Sequence, residues 1–395
     1  MKLSTRVSQL EMSPTLAVMV AAKALKDRGV EVVDLGPGEP DFDTPAYVKA
    51  AAHRALDGGY TKYTDASGLR ELRQAIADRY NRIWGSRYAV PEVIVTCGAK
   101  MALYEIAMAI VDPGDEVIIP SPYWVTFPEQ VRLAGGTPVF VPAPASDGFV
   151  LRAEHLAPHV TSRTRALVLN TPNNPTGAVI PEAELRTIAA LCKARGIAIV
   201  FDECYDAFVY EPEKHFCLAA MQAELGDLLV VCGSFSKTYA MTGHRLGYVL
   251  ADRSIVSAMG KLQSHMTSNP TSFVQVGGRE AFENVAASHA SVTAMIAEYR
   301  VRRDLVLARL EAIPNVRTVV PMGAFYVFPD LSAYQRAPYA TSVDLARYLL
   351  EEGHVAVVPG SAFGLEGYAR LSYATSRENL EKGLAGMAQA LAKIR

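Results

Sequence analysis

The chain has 395 residues, of which 50% are hydrophobic and 20% are charged. This composition provides enough apolar material for a large core and excludes wholesale disorder, and the length predicts two domains or one large domain with a lid. The 39 lysines and arginines nearly balance the 41 aspartates and glutamates, which gives a formal net charge of −2. That balance does not favour a surface for nucleic acid or for anionic membranes.

The sequence carries no sign of a membrane or export segment. None of its apolar runs approaches the ~18 residues that a membrane helix needs, and the first residues, MKLSTRVSQLEMSPTL, lack the apolar region of a signal peptide. The five cysteines are odd in number and form no CxxC pair. We therefore expect reduced thiols in a cytoplasmic protein without a metal site.

Apolar runs without polar alternation are the main structural signal in the middle of the chain. Helical patterns separate these runs, which lie at residues 93–97, 117–119, 166–169, 197–201 and 228–232. Such runs are typical of strands that are covered on both faces of a sheet. The strand–helix–strand order then predicts an α/β fold with a mainly parallel, doubly wound sheet.

The C-terminal third has a different pattern, with short strands predicted at residues 324–328, 355–358 and 370–373. These strands surround a helix that ends near Gly353. Ser376 is a suitable N-cap for a last helix that runs to the C-terminus.

The same pattern predicts how the chain divides into domains. A long helical pattern at residues 280–311 could bridge the two regions. We place the large domain at residues 45–285 and a smaller α/β domain at residues 286–395. Residues 1–44 are expected to complete the small domain and to act as a lid.

Polar residues follow four of the predicted strands. Asn170 and Asp202 each come directly after an apolar run, as do the segments at 98–100 (Gly-Ala-Lys) and 233–237 (Gly-Ser-Phe-Ser-Lys). In an open α/β sheet, ligands bind beyond the carboxyl ends of the strands. The sequence therefore predicts a site where carboxylate, amine, hydroxyl and amide groups converge.

Lys237 and Asp202 are the residues best suited to chemistry in this site. Most lysines are solvated surface residues, but Lys237 lies in SFSKTYAMTGHRLGY, directly after a buried strand. A lysine held near apolar walls and cations has a lowered pKa and can form a Schiff base. Asp202 is either a helix N-cap or a carboxylate that keeps a pyridinium nitrogen protonated.

An ordered set of motifs covers essentially the whole chain. The motifs are GEPDF (38–42), YTDASGLRELR (63–73), SPYW (121–124), TPNNPTG (171–177), DECY (202–205), SFSKTYAMTGHRLGY (234–248) and RLSYA (370–374). In these segments the chain resembles the class I aminotransferases of pyridoxal-phosphate fold type I, and most closely the bacterial aspartate aminotransferase subgroup that includes prephenate-accepting enzymes. The resemblance implies a large domain that binds pyridoxal 5′-phosphate, with a smaller α/β domain beside it.

The resemblance also implies roles for the residues around the cofactor ring. Lys237 matches the lysine that forms the Schiff base and moves the Cα proton, and Asp202 matches the partner of the ring nitrogen. Tyr205 and Asn174 match the residues that hydrogen-bond the phenolic oxygen, and Trp124 matches the residue that stacks on the ring. Lys237, Asp202 and Tyr205 are therefore the predicted catalytic residues.

The phosphate of the cofactor needs a site for a dianion. Amides at the start of a helix, two hydroxyl groups and one guanidinium can supply it. The predicted ligands are Gly98, Ala99, Lys100, Ser234, Ser236 and Arg245. Tyr63 matches a residue that reaches the phosphate across a subunit interface, which implies a homodimer with composite sites.

The substrate carboxylates need cationic partners. Arg370, in RLSYA, matches the arginine that binds the α-carboxylate in a bidentate manner. The other substrate contacts that the resemblance implies are Gly38, Trp124, Asn174, Lys100, Ser13 and Thr15. Of these, Lys100, Ser13 and Thr15 match residues that bind the distal carboxylate of aspartate or glutamate.

The implied activity is a ping-pong transamination, with aspartate as the leading amino donor and 2-oxoglutarate as the acceptor. Two residues depart from the subgroup pattern. Glu11 stands where prephenate-active relatives carry a basic residue and should repel a second carboxylate, and His244 replaces the tryptophan of MTGWR. Aromatic amino acids, prephenate and other donors stay open. A C–S lyase on the same fold also stays open, because it needs the same lysine, aspartate and arginine.

Overall fold

A computed structural model describes residues 3–8, 10 and 14–394 of the chain. Its α-helices are, in chain order, α1 (Thr5–Ser8), α2 (Pro14–Lys26), α3 (Ala46–Asp57), α4 (Arg70–Trp84), α5 (Ala99–Ile110), α6 (Thr126–Leu133), α7 (Ala153–Leu156), α8 (Glu182–Arg195), α9 (Gln222–Leu225), α10 (Arg253–Met266), α11 (Ser272–Glu283), α12 (Val285–Glu311), α13 (Ser342–Glu352) and α14 (Arg377–Ala392). Within these ranges, no helix is both long and apolar enough to cross a membrane.

The strands of the described chain form three sheets. They are, in chain order, β1 (Val33–Asp34), β2 (Val93–Thr96), β3 (Glu116–Ser121), β4 (Thr137–Pro142), β5 (Thr164–Asn170), β6 (Ala198–Asp202), β7 (Leu229–Ser234), β8 (Gly247–Leu250), β9 (Tyr326–Val327), β10 (Val355–Ala356), β11 (Val358–Pro359) and β12 (Ala369–Ser372). The sheets have two, three and seven strands.

The seven-stranded sheet has the order β2-β8-β7-β6-β5-β3-β4. Its neighbouring strands are parallel except where β8 pairs with β2 and β7. The predicted mainly parallel α/β sheet is therefore confirmed. Because β2, β3, β5, β6 and β7 run in the same direction, their carboxyl ends meet at one edge of the sheet.

The central strands are apolar throughout because alternate residues enter two different cores. In β6, Ile199 and Phe201 belong to one buried cluster, whereas Ala198 and Val200 belong to another. The residues of β5 and β7 alternate in the same way. A sheet covered on both faces offers no solvent-exposed position to a polar side chain.

The ends of several helices follow the predicted capping signals. Gly196 ends α8 in the left-handed region, with φ at 65°, and the Ser376 hydroxyl accepts a hydrogen bond of 3.2 Å from the Asn379 N–H at the start of α14. The single helix predicted at residues 280–311 is wrong. Asn284 separates α11 from α12, because its side chain accepts a hydrogen bond from the Ala287 N–H at 3.3 Å and so begins a new helix.

The N-terminal segment joins the C-terminal third of the chain. Strand β1 pairs in parallel with β10, with Val33 opposite Val355, and Val33 and Leu35 pack in a buried cluster with residues of α12, α13 and α14. The strand predicted at residues 355–358 is divided, because β10 pairs with β1 while β11 pairs with β12. The domain boundaries at residues 44 and 285 stay a prediction.

One buried acid in the large sheet's helical layer lacks a compensating partner. Glu105 lies in α5 and is fully buried, and neither of its carboxyl oxygens has a hydrogen-bond partner in the described part of the chain. Burial raises the pKa of Glu105 to about 8. Between its ordinary pKa near 4.5 and this value, the folded protein holds a proton that the unfolded chain releases, so stability falls as the pH rises.

We expect Glu105→Gln to remove this loss of stability. Relative to the variant, the free energy of unfolding of the parent chain should fall by on the order of 2 kcal/mol between pH 5.5 and pH 8. Urea denaturation at the two pH values measures the difference. Glu154→Gln, which changes an exposed carboxyl group in α7, should show no such dependence. Equal pH dependence in parent and Glu105→Gln would contradict the prediction.

Candidate active site

A cavity of about 340 Å³ lies at the edge where the carboxyl ends of the parallel strands meet. Residues that follow β2, β3, β5, β6 and β7 line it, together with residues of β9, β12 and the N-terminal segment. The structure brings most of the predicted site residues to this cavity, namely Gly38, Ala99, Lys100, Trp124, Asn174, Asp202, Tyr205, Ser234, Ser236, Lys237, Arg245 and Arg370.

Asp202 is the last residue of β6 and is only 4% exposed. Its Oδ1 accepts a hydrogen bond of 3.0 Å from the Cys204 N–H, which fixes the carboxyl group. Burial raises the pKa of Asp202 to about 7, and repulsion from Glu203 adds to the rise, whereas the positive charge of Lys237 opposes it. The carboxylate is therefore suited to hold a proton or to pair with a protonated ring nitrogen.

Lys237 follows β7 by three residues, and its ammonium group donates a hydrogen bond to the carbonyl oxygen of Gly38. Burial lowers the pKa of Lys237. The nearby cations Arg370 and Arg245 lower it further, while Cys204 and Glu39 oppose this. A lysine with a lowered pKa is more often unprotonated and is thus available as a nucleophile and a base.

The loop that carries Lys237 is tied to the strand that carries Asp202. The hydroxyl of Thr238 donates to the Oδ1 of Asp206 at 2.8 Å. Thr238 adjoins Lys237, and Asp206 lies in the segment that follows β6. This hydrogen bond therefore fixes the position of the loop with Lys237 relative to the segment that begins at Asp202.

The turn between β2 and α5 brings together groups that are suited to an anion. Gly98 precedes the helix with φ at 88°, and a Cβ atom there would lie 2.4 Å from an Nη2 of Arg245. Arg245 is held by a hydrogen bond of 2.9 Å from its Nη1 to the carbonyl of Thr242. Ser234 and Ser236 are buried beside this cavity, and the Ser236 N–H donates to the Ser234 hydroxyl at 3.0 Å. A helix start, hydroxyl groups and a guanidinium together suit a phosphate dianion.

Arg370 is a buried cation that lacks a buried counter-ion. It is 2% exposed, and its guanidinium donates to the Oδ1 of Asn174 at 3.0 Å and to the carbonyl of Gly36 at 2.6 Å. Its Nε has no partner in the described part of the chain, and no carboxylate there forms an ion pair with it. Since a buried charge is costly without an opposite charge, the site is suited to a ligand carboxylate.

Tyr326 lies between this arginine and Tyr205. The Tyr205 and Tyr326 hydroxyls are 2.7 Å apart, and the Arg370 guanidinium lies 4.5 Å from the Tyr326 ring centroid. A Cβ atom on Gly38 would lie 2.7 Å from the Tyr326 hydroxyl. Tyr326 is a cavity residue that sequence reasoning missed, because a tyrosine in an apolar β-strand gives no sign of where its hydroxyl lies.

Trp124 and Lys100 lie together on another wall of the cavity. The Lys100 ammonium is 5.0 Å from the Trp124 ring centroid, and burial together with Arg245 lowers the pKa of Lys100. Lys100 thus lies at the cavity wall, with the flat indole ring of Trp124 beside it. A cation and an aromatic face are both available to a ligand there.

Two of the predicted residues that the structure describes, Gly98 and Tyr63, are not among those that line the cavity. Gly98 contacts Arg245 instead, and Tyr63 is 87% exposed in the single chain. Ser13 lies outside the described residues, as does Glu11, and the side chain of Thr15 is not described. His244 is half-buried in a short helical turn next to Arg245, and burial lowers its pKa.

Comparison with known families places this site in context. The family model for "Aminotransferase class I and II" matches residues 30–386. The chain belongs to this family. It is therefore an enzyme of the aminotransferase type, as the motifs implied.

Individual members of the family resemble the chain over its full length. A probable aspartate/prephenate aminotransferase from Aquifex aeolicus is 47% identical over 99% of both chains, and the aspartate aminotransferase of Bacillus subtilis is 42% identical over 97% of both. A solved structure of the Thermus thermophilus aspartate aminotransferase with maleate is 44% identical and covers 99% of this chain and 100% of its own, with a TM-score of 0.94. These similarities confirm the predicted family and fold.

We expect Gly98→Ala to weaken anion binding by this aminotransferase. The new Cβ would collide with Arg245, and φ at 88° strains any residue with a Cβ, so affinity for inorganic phosphate should fall by about tenfold or more, roughly 1.4 kcal/mol. A ³¹P NMR titration measures it. Gly85→Ala is the control, because Gly85 has a similar φ of 67° with open space around it. An equal loss in both variants would contradict the steric explanation.

Proposed function

We propose that this aminotransferase uses pyridoxal 5′-phosphate to move an amino group from L-aspartate to 2-oxoglutarate by a ping-pong mechanism. The observation that carries the proposal is the presence of Lys237, Asp202 and Arg370 around one cavity. The pKa of the amine is lowered, the pKa of the carboxyl group is raised, and the guanidinium lacks a counter-ion.

The residues present fit the proposed cofactor at each of its functional groups. Lys237 would hold its aldehyde, Asp202 its ring nitrogen, and Tyr205 with Asn174 its phenolic oxygen, while Trp124 would cover a face of the ring. Its phosphate would bind at the anion site formed by Gly98, Ala99, Lys100, Ser234, Ser236 and Arg245. When bound, pyridoxal phosphate supplies an electron sink for the carbon atom that loses its proton.

The chain's own side chains then have defined tasks. Arg370 binds the substrate α-carboxylate with a planar pair of donors, and Asn174 holds the guanidinium in place at 3.0 Å. The backbone of Gly38 forms a second contact with the same carboxylate. The Lys237 amine takes the proton from the substrate Cα and later returns it, a role that its lowered pKa favours.

The choice of aspartate rests on the wall that carries Lys100. We propose that Lys100, with Ser13 and Thr15, binds the distal carboxylate of the donor. Two considerations support this: relatives over the full length are named aspartate aminotransferases, and the Thermus structure was solved with maleate, itself a dicarboxylate. Prephenate is the second candidate, because other relatives are named aspartate/prephenate aminotransferases, although Glu11 is acidic.

We also propose a homodimer with composite sites. Tyr63 is a large aromatic residue that is 87% exposed in the single chain, and a partner subunit would give it a place at the phosphate. We further propose that the enzyme is cytoplasmic; its five cysteines are free thiols.

The half-reaction tests the proposed activity. Protein loaded with pyridoxal phosphate and mixed with aspartate alone should form about one equivalent of oxaloacetate per site and release no ammonia, because the nitrogen stays with the cofactor. Lys237→Ala should abolish this product and the characteristic visible absorbance, since it removes the amine that holds the cofactor. Oxo-acid formation is measured by a coupled assay, and ammonia by a colorimetric one.

Other outcomes identify the alternatives. Repeated turnover of an S-substituted cysteine to pyruvate, ammonia and a thiol would indicate a C–S lyase. Faster product formation with phenylalanine, tyrosine, glutamate or a prephenate-derived donor in the same panel would replace aspartate as the substrate. Full activity in Lys237→Ala would refute the assignment of the lysine.

Tyr63 provides the test of the dimer. The protein should sediment as a dimer, and Tyr63→Phe should weaken pyridoxal phosphate binding by about tenfold, the size of one lost hydrogen bond to a charged group. Tyr60→Phe is the matched control, since Tyr60 is also exposed, at 49%, and lies three residues away. A monomeric protein in which Tyr63→Phe does not weaken pyridoxal phosphate binding would contradict the composite site.

A further inference from the structure

A second carboxylate lies directly behind Asp202. Glu203 is the next residue along the chain and is only 2% exposed, and its N–H donates to the carbonyl of Cys232 on the neighbouring strand β7 at 3.1 Å. Its backbone is thus fixed as firmly as that of Asp202. The active-site chemistry described above makes no use of this residue.

Both oxygens of the Glu203 carboxyl group are hydrogen-bonded. The Tyr80 hydroxyl donates to Oε1, and the His215 Nε2 lies 2.7 Å from Oε2. The Tyr248 hydroxyl extends the network at 3.0 Å from that of Tyr80. A carboxyl group held by two donors is arranged to carry a negative charge.

The second ring nitrogen of His215 determines where the proton lies. Its Nδ1 is buried and has no partner in the part of the chain that the structure describes. A proton at Nδ1 would be an unsatisfied buried donor, so of the two neutral tautomers the one with its proton on Nε2, donated to Glu203, is favoured. With Nε2 as a donor, both oxygens of the Glu203 carboxyl group accept hydrogen bonds, which is the arrangement that suits an ionised carboxylate.

The surroundings do little to weaken this charge. The His215 ring contacts Trp84 and Phe201, with centroids 5.9 and 6.2 Å apart, and no lysine or arginine of the described residues forms an ion pair with Glu203. The titratable or charged groups that face Asp202, Glu203 or their neighbour Asp206 are Lys237, Arg79, His215, Cys204, Cys217, Cys232, Tyr80, Tyr88, Tyr239 and Tyr248. Asp206 itself interacts with Arg79 and Thr238.

We propose that Glu203 is a positioning residue that acts through Asp202. The negative charge of its buried carboxylate raises the proton affinity both of Asp202 and of the ring nitrogen that would pair with it, so the bound cofactor ring keeps its proton to a higher pH; this inference rests on the proposed use of pyridoxal phosphate. Repulsion from Glu203 contributes, after burial, to the raised pKa of Asp202. Tyr80 and His215 maintain the charge at this place.

Glu203→Gln tests the proposal, because it removes the charge with almost no change of shape. In cofactor-free protein labelled with [γ-¹³C]aspartate, the Asp202 signal is assigned by its absence in Asp202→Asn and followed against pH. We expect the acid dissociation constant of Asp202 to rise roughly 3- to 30-fold in Glu203→Gln, the range for the removal of one charge from a neighbouring residue at an intermediate dielectric constant. With ¹⁵N-labelled pyridoxal phosphate, the ring nitrogen should lose its proton at a correspondingly lower pH.

Two variants separate charge from structure. Glu105→Gln also replaces a buried glutamate, but one whose raised pKa of about 8 favours the neutral form, so it should leave both titrations unchanged. Tyr80→Phe removes one of the two hydrogen bonds to Glu203 and leaves the carboxyl group with its His215 partner, so the Asp202 dissociation constant should rise less than in Glu203→Gln. If Glu203→Gln does not fold, the double variant Tyr80→Phe/Glu203→Met removes the same charge together with the hydroxyl that faces it.

The outcomes distinguish this inference from the proposed function. Unchanged titrations in a folded charge-removing variant, or an equal rise in Tyr80→Phe, would overturn the role of Glu203. If the parent protein fails to take up pyridoxal phosphate, the proposed function fails. The Asp202 titration in the cofactor-free protein then still decides whether Glu203 controls that carboxyl group.

Discussion

The properties of the active-site cavity depend on charged groups that are buried at the carboxyl ends of the parallel strands. Asp202 and Arg370 are almost completely buried, and neither is neutralised by a close ion pair in the described chain. Neutral oxygens of Asn174 and Gly36 hold the guanidinium, so its direction is set while its charge is left to a ligand. A ligand with the opposite charges compensates these buried groups and is therefore bound favourably. This compensation is the electrostatic basis of the proposed chemistry.

The segment at residues 36–44 links the two halves of the cavity. Its carbonyl oxygens accept hydrogen bonds from Arg370 and Lys237. Asp41 forms an ion pair of 2.8 Å with Arg302 on α12, and the Thr44 hydroxyl donates to the Ala240 carbonyl at 2.6 Å. Because the same short segment contacts both Arg370 and Lys237, its position depends on both. Its movement as a lid over bound substrate stays a prediction.

Much of the fold and of the cavity was predictable because two local rules act along the chain. Runs such as 197–201 are apolar at every position, which identifies a sheet covered on both faces, and strand–helix alternation implies parallel pairing. Parallel strands bring their carboxyl ends together, so Asp202 and Lys237 could be assigned to one site without knowledge of the strand order. The break at Asn284 and the division of residues 355–358 were missed, since each depends on hydrogen bonds that local pattern does not encode.

The residues that were not predicted from the sequence were missed for the same physical reason. Tyr326 and His215 contribute through one polar atom at the end of a ring, and only the packing of distant elements decides where that atom lies. The amino-acid sequence by itself determined the family, the sheet and the chemical types at the strand ends, because these follow from periodicity and ordered motifs. Only the tertiary structure decided that Arg370 has no counter-ion among the described residues, that Tyr63 is exposed in the single chain and that Glu203 is buried and hydrogen-bonded next to Asp202. Burial and long-range hydrogen bonding are properties of the assembled chain.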